Sequence, residues 1–211
     1  MNVLFVISDI FSSGGTARAA TEIASGLADI GHDLSIVTLF GPASPWFDLH
    51  RSVKVKGAGL AETKCSFRRA AAISRYLRRE ACASGVEILV LVDTIFFAFC
   101  VSWVWRVRAR VICWEHFNLS TSHGSPIRVI ARLAASRLSS RIVVLTERDA
   151  NAWRRKYNIS HRVKAIWNPV PRFLGSCEVA PPDADGRLVV LAVGHLTAVK
   201  GFDYFCAPGH A

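Results

Sequence analysis

Two glycine loops and one histidine supply the residues in this chain that could do chemistry. Near the carboxyl end, the apolar run 188–193 enters the segment Val193-Gly194-His195-Leu196-Thr197-Ala198-Val199-Lys200-Gly201-Phe202-Asp203. Backbone N–H groups freed by glycine, together with one fixed cation, can neutralise a diphosphate at the mouth of a parallel sheet. A second loop, Ser8-Asp9-Ile10-Phe11-Ser12-Ser13-Gly14-Gly15-Thr16, joins an apolar run to a segment of helical period. An open α/β sheet places its anion site at such a turn. The spacing is neither G-x-G-x-x-G nor G-x-x-x-x-G-K-[ST], which argues against a dinucleotide fingerprint and a P-loop. Finally, Trp114-Glu115-His116-Phe117-Asn118 follows a strand-like run and sets an imidazole and a carboxylate at one sheet edge. That pair could orient an acceptor hydroxyl or contact a sugar. A tight turn at Gly14-Gly15 and a capping or structural role for His116 are the plain alternatives.

The elements that would position these groups alternate along the chain. Apolar runs at 2–7, 34–39, 88–92, 110–114, 141–145 and 163–166 read as strands, and segments near 16–30, 68–84, 95–107, 126–140 and 147–157 have helical period. Alternation of this kind needs crossover connections, so it predicts a doubly wound parallel sheet, a Rossmann-like α/β domain. Gly31 and Gly85 follow helices where a left-handed cap is wanted, and Thr146 with Asp149 approximates a capping box. After Asn168-Pro169-Val170-Pro171 the residues 172–186 are rich in Pro and Gly and read as a linker. This gives a domain at 1–171 and the start of a second unit at 187–211.

Composition narrows the partners. The 211 residues are 51% hydrophobic and 20% charged with a formal net charge of +10, which suits a folded protein that meets phosphates. Six cysteines lie scattered without a C-x-x-C pair or metal-ligand spacing, so we expect a reduced, cytoplasmic chain with no metal site. Nucleic acid is disfavoured because no helix-turn-helix, zinc-finger or RNP signature is present. Residues 88–105 carry Asp93 as their sole charge and approach the length of a membrane span. A strand, a loop at Asp93 and a buried helix read better, since a mid-bilayer Asp is costly.

Two helices are basic as well as amphipathic. In the first, Ala70, Ile73, Leu77 and Ala81 share a face opposite Arg68, Arg75, Arg78 and Arg79. In the second, Ile127, Ile130, Ala131, Ala134 and Leu138 run together with Arg128 and Arg132 beside them. These six arginines are expected to form a surface for anionic membrane or an acidic partner. An ordinary solvated face is the other reading.

Taken in order, the Gly14-Gly15 loop, the segment 27–38, Glu115-His116, Asn168-Pro169-Val170 and the 193–203 loop resemble the family 4 glycosyltransferases, retaining enzymes of the two-domain GT-B fold. The resemblance implies that the chain is the amino-terminal, acceptor-side half of that fold with the threshold of the donor-side half. It places Gly14, Gly15 and Lys200 at the donor diphosphate and His116 in the catalytic cleft, with Glu115 as a second catalytic candidate. The family carries arginine where this chain has His195, so a titratable group replaces a fixed charge there. It also continues past Asp203 into a helix and a nucleotide-binding domain, whereas this chain turns to Pro208-Gly209. The resemblance therefore implies a truncated fragment of doubtful activity. The expected partners are a nucleotide-sugar donor, a saccharide or lipid-linked acceptor and the inner face of the cell membrane, with no cofactor or obligatory metal. The competing expectation is a non-catalytic basic α/β module.

Overall fold

In the computed structural model, the description covers residues 1–60, 67–83, 85–120, 124–170, 193–194 and 201–202. The chain divides into two units, Met1–Pro171 and Arg172–Ala211. The linker 172–186, His195 and Lys200 lie outside the described residues.

The first unit is built on seven parallel strands: β1 Asn2–Ile7, β2 Asp33–Thr38, β3 Lys54–Gly57, β4 Ile88–Val92, β5 Arg110–Trp114, β6 Arg141–Val144 and β7 Val163–Ala165. Their order is β3-β2-β1-β4-β5-β6-β7, so the winding reverses between β1 and β4. Val3 lies beside Ile88 and Val6 beside Leu91 across that switch point. Four α-helices accompany the sheet among the described residues: α1 Gly15–Asp29, α2 Phe67–Ala81, α3 Pro126–Leu138 and α4 Glu147–Tyr157.

Strand side chains alternate between faces, and here both faces are covered, which is why the strands read as continuous apolar runs. Val3, Phe5 and Ile7 join Leu34, Ile36, Val90 and Val92 against the alanine face of α1 (Ala17, Ala20, Ala24). Leu4 and Val6 face the other way, with Leu89, Leu91, Val111 and Val144, onto Ile73 and Leu77 of α2 and Trp153 of α4. The doubly wound α/β class expected from the alternation is the observed architecture. Its helix boundaries follow local chemistry: Gly31 sits at φ +87° after α1, and Thr146 Oγ1 accepts from Asp149 N at 3.1 Å to open α4.

Two segments differ from the sequence reading. Residues 95–107 do not form an α-helix but two short 3₁₀ turns, Thr94–Phe99 and Val104–Arg106. The cause is local crowding and competing bonds. Ile95, Val101 and the aromatics lose side-chain freedom in an α-helix, and the Trp103 indole N–H engages the Phe99 carbonyl at 3.0 Å. The run 88–105 is likewise not one helix, because its first five residues are β4; among the described residues no helix is long and apolar enough to cross a membrane. The second difference is β3, which the periodicity misses. Lys-Val-Lys-Gly has no apolar run because it is an edge strand, where lysines shield the open side from further pairing.

Candidate functional site

The carboxyl ends of β1, β4 and β5 meet at the switch point, and the candidate groups emerge from them. Gly14 is the N-cap of α1 and Gly15 its first residue; no side chain caps this helix and no acidic residue lies in its first turn. The first-turn N–H groups are thus left for an outside acceptor. Neither glycine is demanded by backbone angle, since Gly14 has φ −77°. A Cβ added at Gly15 would meet nothing within 4 Å. Ser8, Asp9, Ser12, Gly14, Thr16 and Asp93 line a cavity of about 190 Å³ at this point.

His116 sits just past β5 and lines a second cavity of about 170 Å³ with Phe117, Asn118, Leu145, Thr146 and Asp149. Its ring lies 4.5 Å from that of Trp114, centroid to centroid, tilted by 46°. His116 Nε2 is buried and has no hydrogen-bond partner among the described residues. Burial pushes the imidazole pKa down to about 4, against a smaller upward pull from the Asp93 carboxylate. At neutral pH it is an uncharged ring with a lone pair available to accept. Phe117 lines both cavities, so the glycine loop and the histidine are neighbours separated by one aromatic side chain rather than members of one pocket. A larger hollow, about 580 Å³ and lined by Arg110, Arg141 and Arg162 among others, opens at the opposite, amino ends of the strands. It holds none of these groups.

Beneath the histidine lies an ion cluster that the sequence reading did not find. Arg128 grips Asp93 bidentately, at 2.7 Å to Oδ1 and 2.9 Å to Oδ2, and reaches Glu115 Oε1 at 3.4 Å. Arg132 Nε donates to Glu115 Oε2 at 2.8 Å. Burial pushes the Glu115 carboxyl above its ordinary value, while the Arg132 hydrogen bond pulls it down. Two guanidiniums at these distances hold it as a carboxylate.

This cluster corrects two expectations. Arg128 and Arg132 do not form a membrane-facing or acidic-partner surface: they are 7% and 2% exposed and face inward. The helix is rotated about its axis, with Val129, Ile130, Leu133 and Leu138 on the outside. Ala131 of the expected apolar face stays buried, but the buried face is shifted round the helix toward Arg128 and Arg132, because periodicity cannot register buried carboxylates contributed by other elements. Glu115 in turn is no free acid or base; its side chain is 0% exposed and both oxygens are occupied, Oε1 also accepting from Phe117 N at 3.1 Å. A readable signal did exist. Two acids directly after strands, Asp93 and Glu115, precede two arginines spaced i, i+4 on the next helix, which puts both guanidiniums on one face. The remaining arginines, Arg68, Arg75, Arg78 and Arg79, are exposed on α2 as expected.

The sequence profile described as Glycosyltransferase Family 4 matches residues 13–172. An uncharacterized glycosyltransferase of Haemophilus influenzae is 26% identical over 206 residues, covering 95% of this chain and 55% of that protein. The amylovoran biosynthesis glycosyltransferase AmsD of Erwinia amylovora is also 26% identical, with the same coverage. The chain thus spans about half the length of these relatives. Among solved structures, the lipopolysaccharide outer core galactosyltransferase WaaB superposes with a TM-score of 0.62 at 14% identity, over 88% of this chain and 50% of WaaB. Anabaena HepE, solved with UDP and glucose, gives 0.57 at 13% identity over 80% and 44%. These likenesses show the fold, which is that of GT-B glycosyltransferases over about half their length.

The neutral histidine makes a prediction about acid stability. Unfolded, His116 takes up a proton near pH 6.5; folded, only near 4. Between these values the unfolded state binds more protons, so the contribution is fully present above about pH 6.5 and is lost as pH falls, reaching ~3 kcal/mol by pH 4. Urea unfolding of His116→Asn between pH 7.5 and 4 should show a correspondingly shallower loss of stability than the parent chain. Identical pH profiles would show that His116 is not held in a desolvated, neutral state.

Proposed function

This chain belongs to glycosyltransferase family 4, and from that membership we propose that it is the acceptor-side half of an enzyme moving a sugar from a nucleotide-sugar donor to a saccharide or lipid-linked acceptor, with retention of configuration. The observation that carries the reading is the clustering of an uncapped glycine-led helix start and a neutral histidine at the carboxyl ends of β1 and β5, on either side of Phe117. HepE, a neighbour in fold, is described in complexes with UDP, UDP-glucose, and UDP and glucose, which supports a nucleotide-sugar partner. The name of AmsD supports a polysaccharide acceptor.

In this reading the first-turn N–H groups of α1 bind the donor diphosphate, and Lys200, on its match to the family's loop, is a second diphosphate ligand. Charge developing on the leaving diphosphate is stabilised by those donors, without an obligatory metal. His116 contributes an uncharged imidazole at the cavity wall, which can orient a sugar hydroxyl without repelling the developing positive charge at the anomeric carbon. The chain works in the cytoplasm against the inner face of the membrane. There Arg68, Arg75, Arg78 and Arg79 meet anionic headgroups, and the exposed aromatics Phe67 and Trp105 beside them reach the interface.

Two outcomes are expected. Joined after Asp203 to the complementary half of a family relative, the chain should transfer sugar, and His116→Ala should lower turnover about 10²-fold with an unchanged circular dichroism spectrum. Unaltered turnover would reduce His116 to a structural residue. For the surface, co-sedimentation with phosphatidylglycerol vesicles should weaken as salt rises and fall further when Arg75, Arg78 and Arg79 become Gln. Equal recovery in the pellet with neutral phosphatidylcholine vesicles would refute the electrostatic contact.

A further inference from the structure

Residues 117–119, which follow the histidine, are held by side chains rather than by regular secondary structure. Glu115 Oε1 accepts from Phe117 N at 3.1 Å, and Asp149 Oδ1 accepts from Leu119 N at 2.9 Å. Arg132 donates to the Leu119 carbonyl at 3.0 Å and to the Asn118 carbonyl at 3.2 Å. The Arg128 guanidinium lies 4.5 Å from the centroid of the Phe117 ring. Each contact traces back to the buried cluster or to Asp149 at the start of α4.

A cluster of this kind is a poor way to gain stability alone. Desolvating two carboxylates and two guanidiniums is costly, and well-packed apolar side chains of similar size serve a core equally well. What apolar residues cannot do is grip backbone carbonyls and amides at fixed positions. The chain also leaves Ile130 60% exposed and Val129 46% exposed in order to turn Arg128 and Arg132 inward. Geometry is therefore the specific product of the arrangement. Asp93 extends it to the neighbouring strand end, where the residue adopts φ 117°, ψ 124°, a strained backbone for a non-glycine residue. Its carboxylate also accepts from Ile95 N at 2.8 Å.

We propose that Arg132 is a positioning residue for His116, and that the Asp93–Arg128–Glu115–Arg132 relay registers the histidine cavity against the glycine-loop cavity on the other side of Phe117. The functional weight of this inference rests on the glycosyltransferase reading, since it matters where His116 stands only if the imidazole meets substrate. The physical claim does not depend on catalysis. Asp93, after β4, is the charged group that acts on the ring; Glu115 after β5 and Asp149 on α4 line the same cavity, and Arg128 and Arg132 on α3 pair with Asp93 and Glu115.

The test is nitrogen-15 NMR of the full chain, following the His116 ring nitrogens through a pH titration together with the Phe117–Leu119 amides. Arg132→Lys keeps the charge and removes the planar fork, so it cannot bond Glu115 and both carbonyls at once. In that variant the 117–119 amides should shift or broaden. The His116 midpoint should rise at least one pH unit from about 4 toward the ordinary 6.5 as water reaches the ring. A folded Arg132→Lys chain with those amides and that midpoint unmoved overturns the proposal. Should Arg132→Lys fail to fold, the charge-free pair Glu115→Gln with Arg132→Met keeps the core volume. A displaced His116 in that folded double variant supports the proposal, an undisplaced one overturns it, and loss of folding in both variants overturns it in favour of a purely structural cluster. Neither readout involves transfer, so a failure of the catalytic assignment and a failure of the positioning claim give different results.

Discussion

The buried ion cluster under β5 is the constraint on which the candidate site depends. Arg128 and Arg132 satisfy Asp93 and Glu115, whose carboxylates lie at adjacent strand ends. Removing one member of such a set leaves an uncompensated charge in the interior at a cost of about 3–5 kcal/mol. Rotating α3 to bury Ile130 and its neighbours would recover at most ~1.5–3 kcal/mol per side chain, and less for residues already half covered. The ionic demand sets the helix orientation, and the apolar face goes outward. From that choice follow the grip on residues 117–119, the seat of His116 against Trp114, and the wall that Phe117 makes between two cavities.

The sheet supplies the coarser half of the geometry. Its winding reverses between β1 and β4, so the β1 loop and the β4 end open side by side, with β5 next in order. The carboxyl ends of such strands gather ligand-binding groups because helix starts and loops converge there. In this chain the convergence joins two kinds of chemistry. The start of α1 offers unpaired backbone donors suited to an anion, whereas the pocket at His116 offers an uncharged acceptor sheltered from water. Under the proposed function, the first would meet the donor's diphosphate and the second its sugar.

Much of this was legible in the sequence. Strands covered on both faces must be apolar throughout, so β1, β2, β4, β5 and β6 declare themselves, and α1, α2 and α4 follow from period and caps. The loop positions of Gly14-Gly15 and Glu115-His116 follow from the same alternation. What resisted reading depends on partners distant in sequence. β3 is an edge strand whose Lys-Val-Lys pattern carries no core signal. Residues 94–106 have helical composition but surrender to 3₁₀ turns under aromatic crowding. The facing of α3 is rotated from the periodic one because periodicity scores each arginine as a solvent residue, although Asp93 and Glu115 stand 35 and 13 residues from Arg128. Asp93 itself read as an obstacle to membrane insertion, when its place is as the anchor of the cluster.

A double-variant cycle on Glu115 and Arg132 addresses the central claim most directly. Urea unfolding at pH 7.5 would be compared for the parent chain, Glu115→Gln, Arg132→Met and the combination. If the cluster sets the structure, each single variant costs about 3–5 kcal/mol by stranding a buried charge, and the combination costs less than the two together by at least ~2 kcal/mol. Strictly additive losses would contradict the account and leave the orientation of α3 to some other cause.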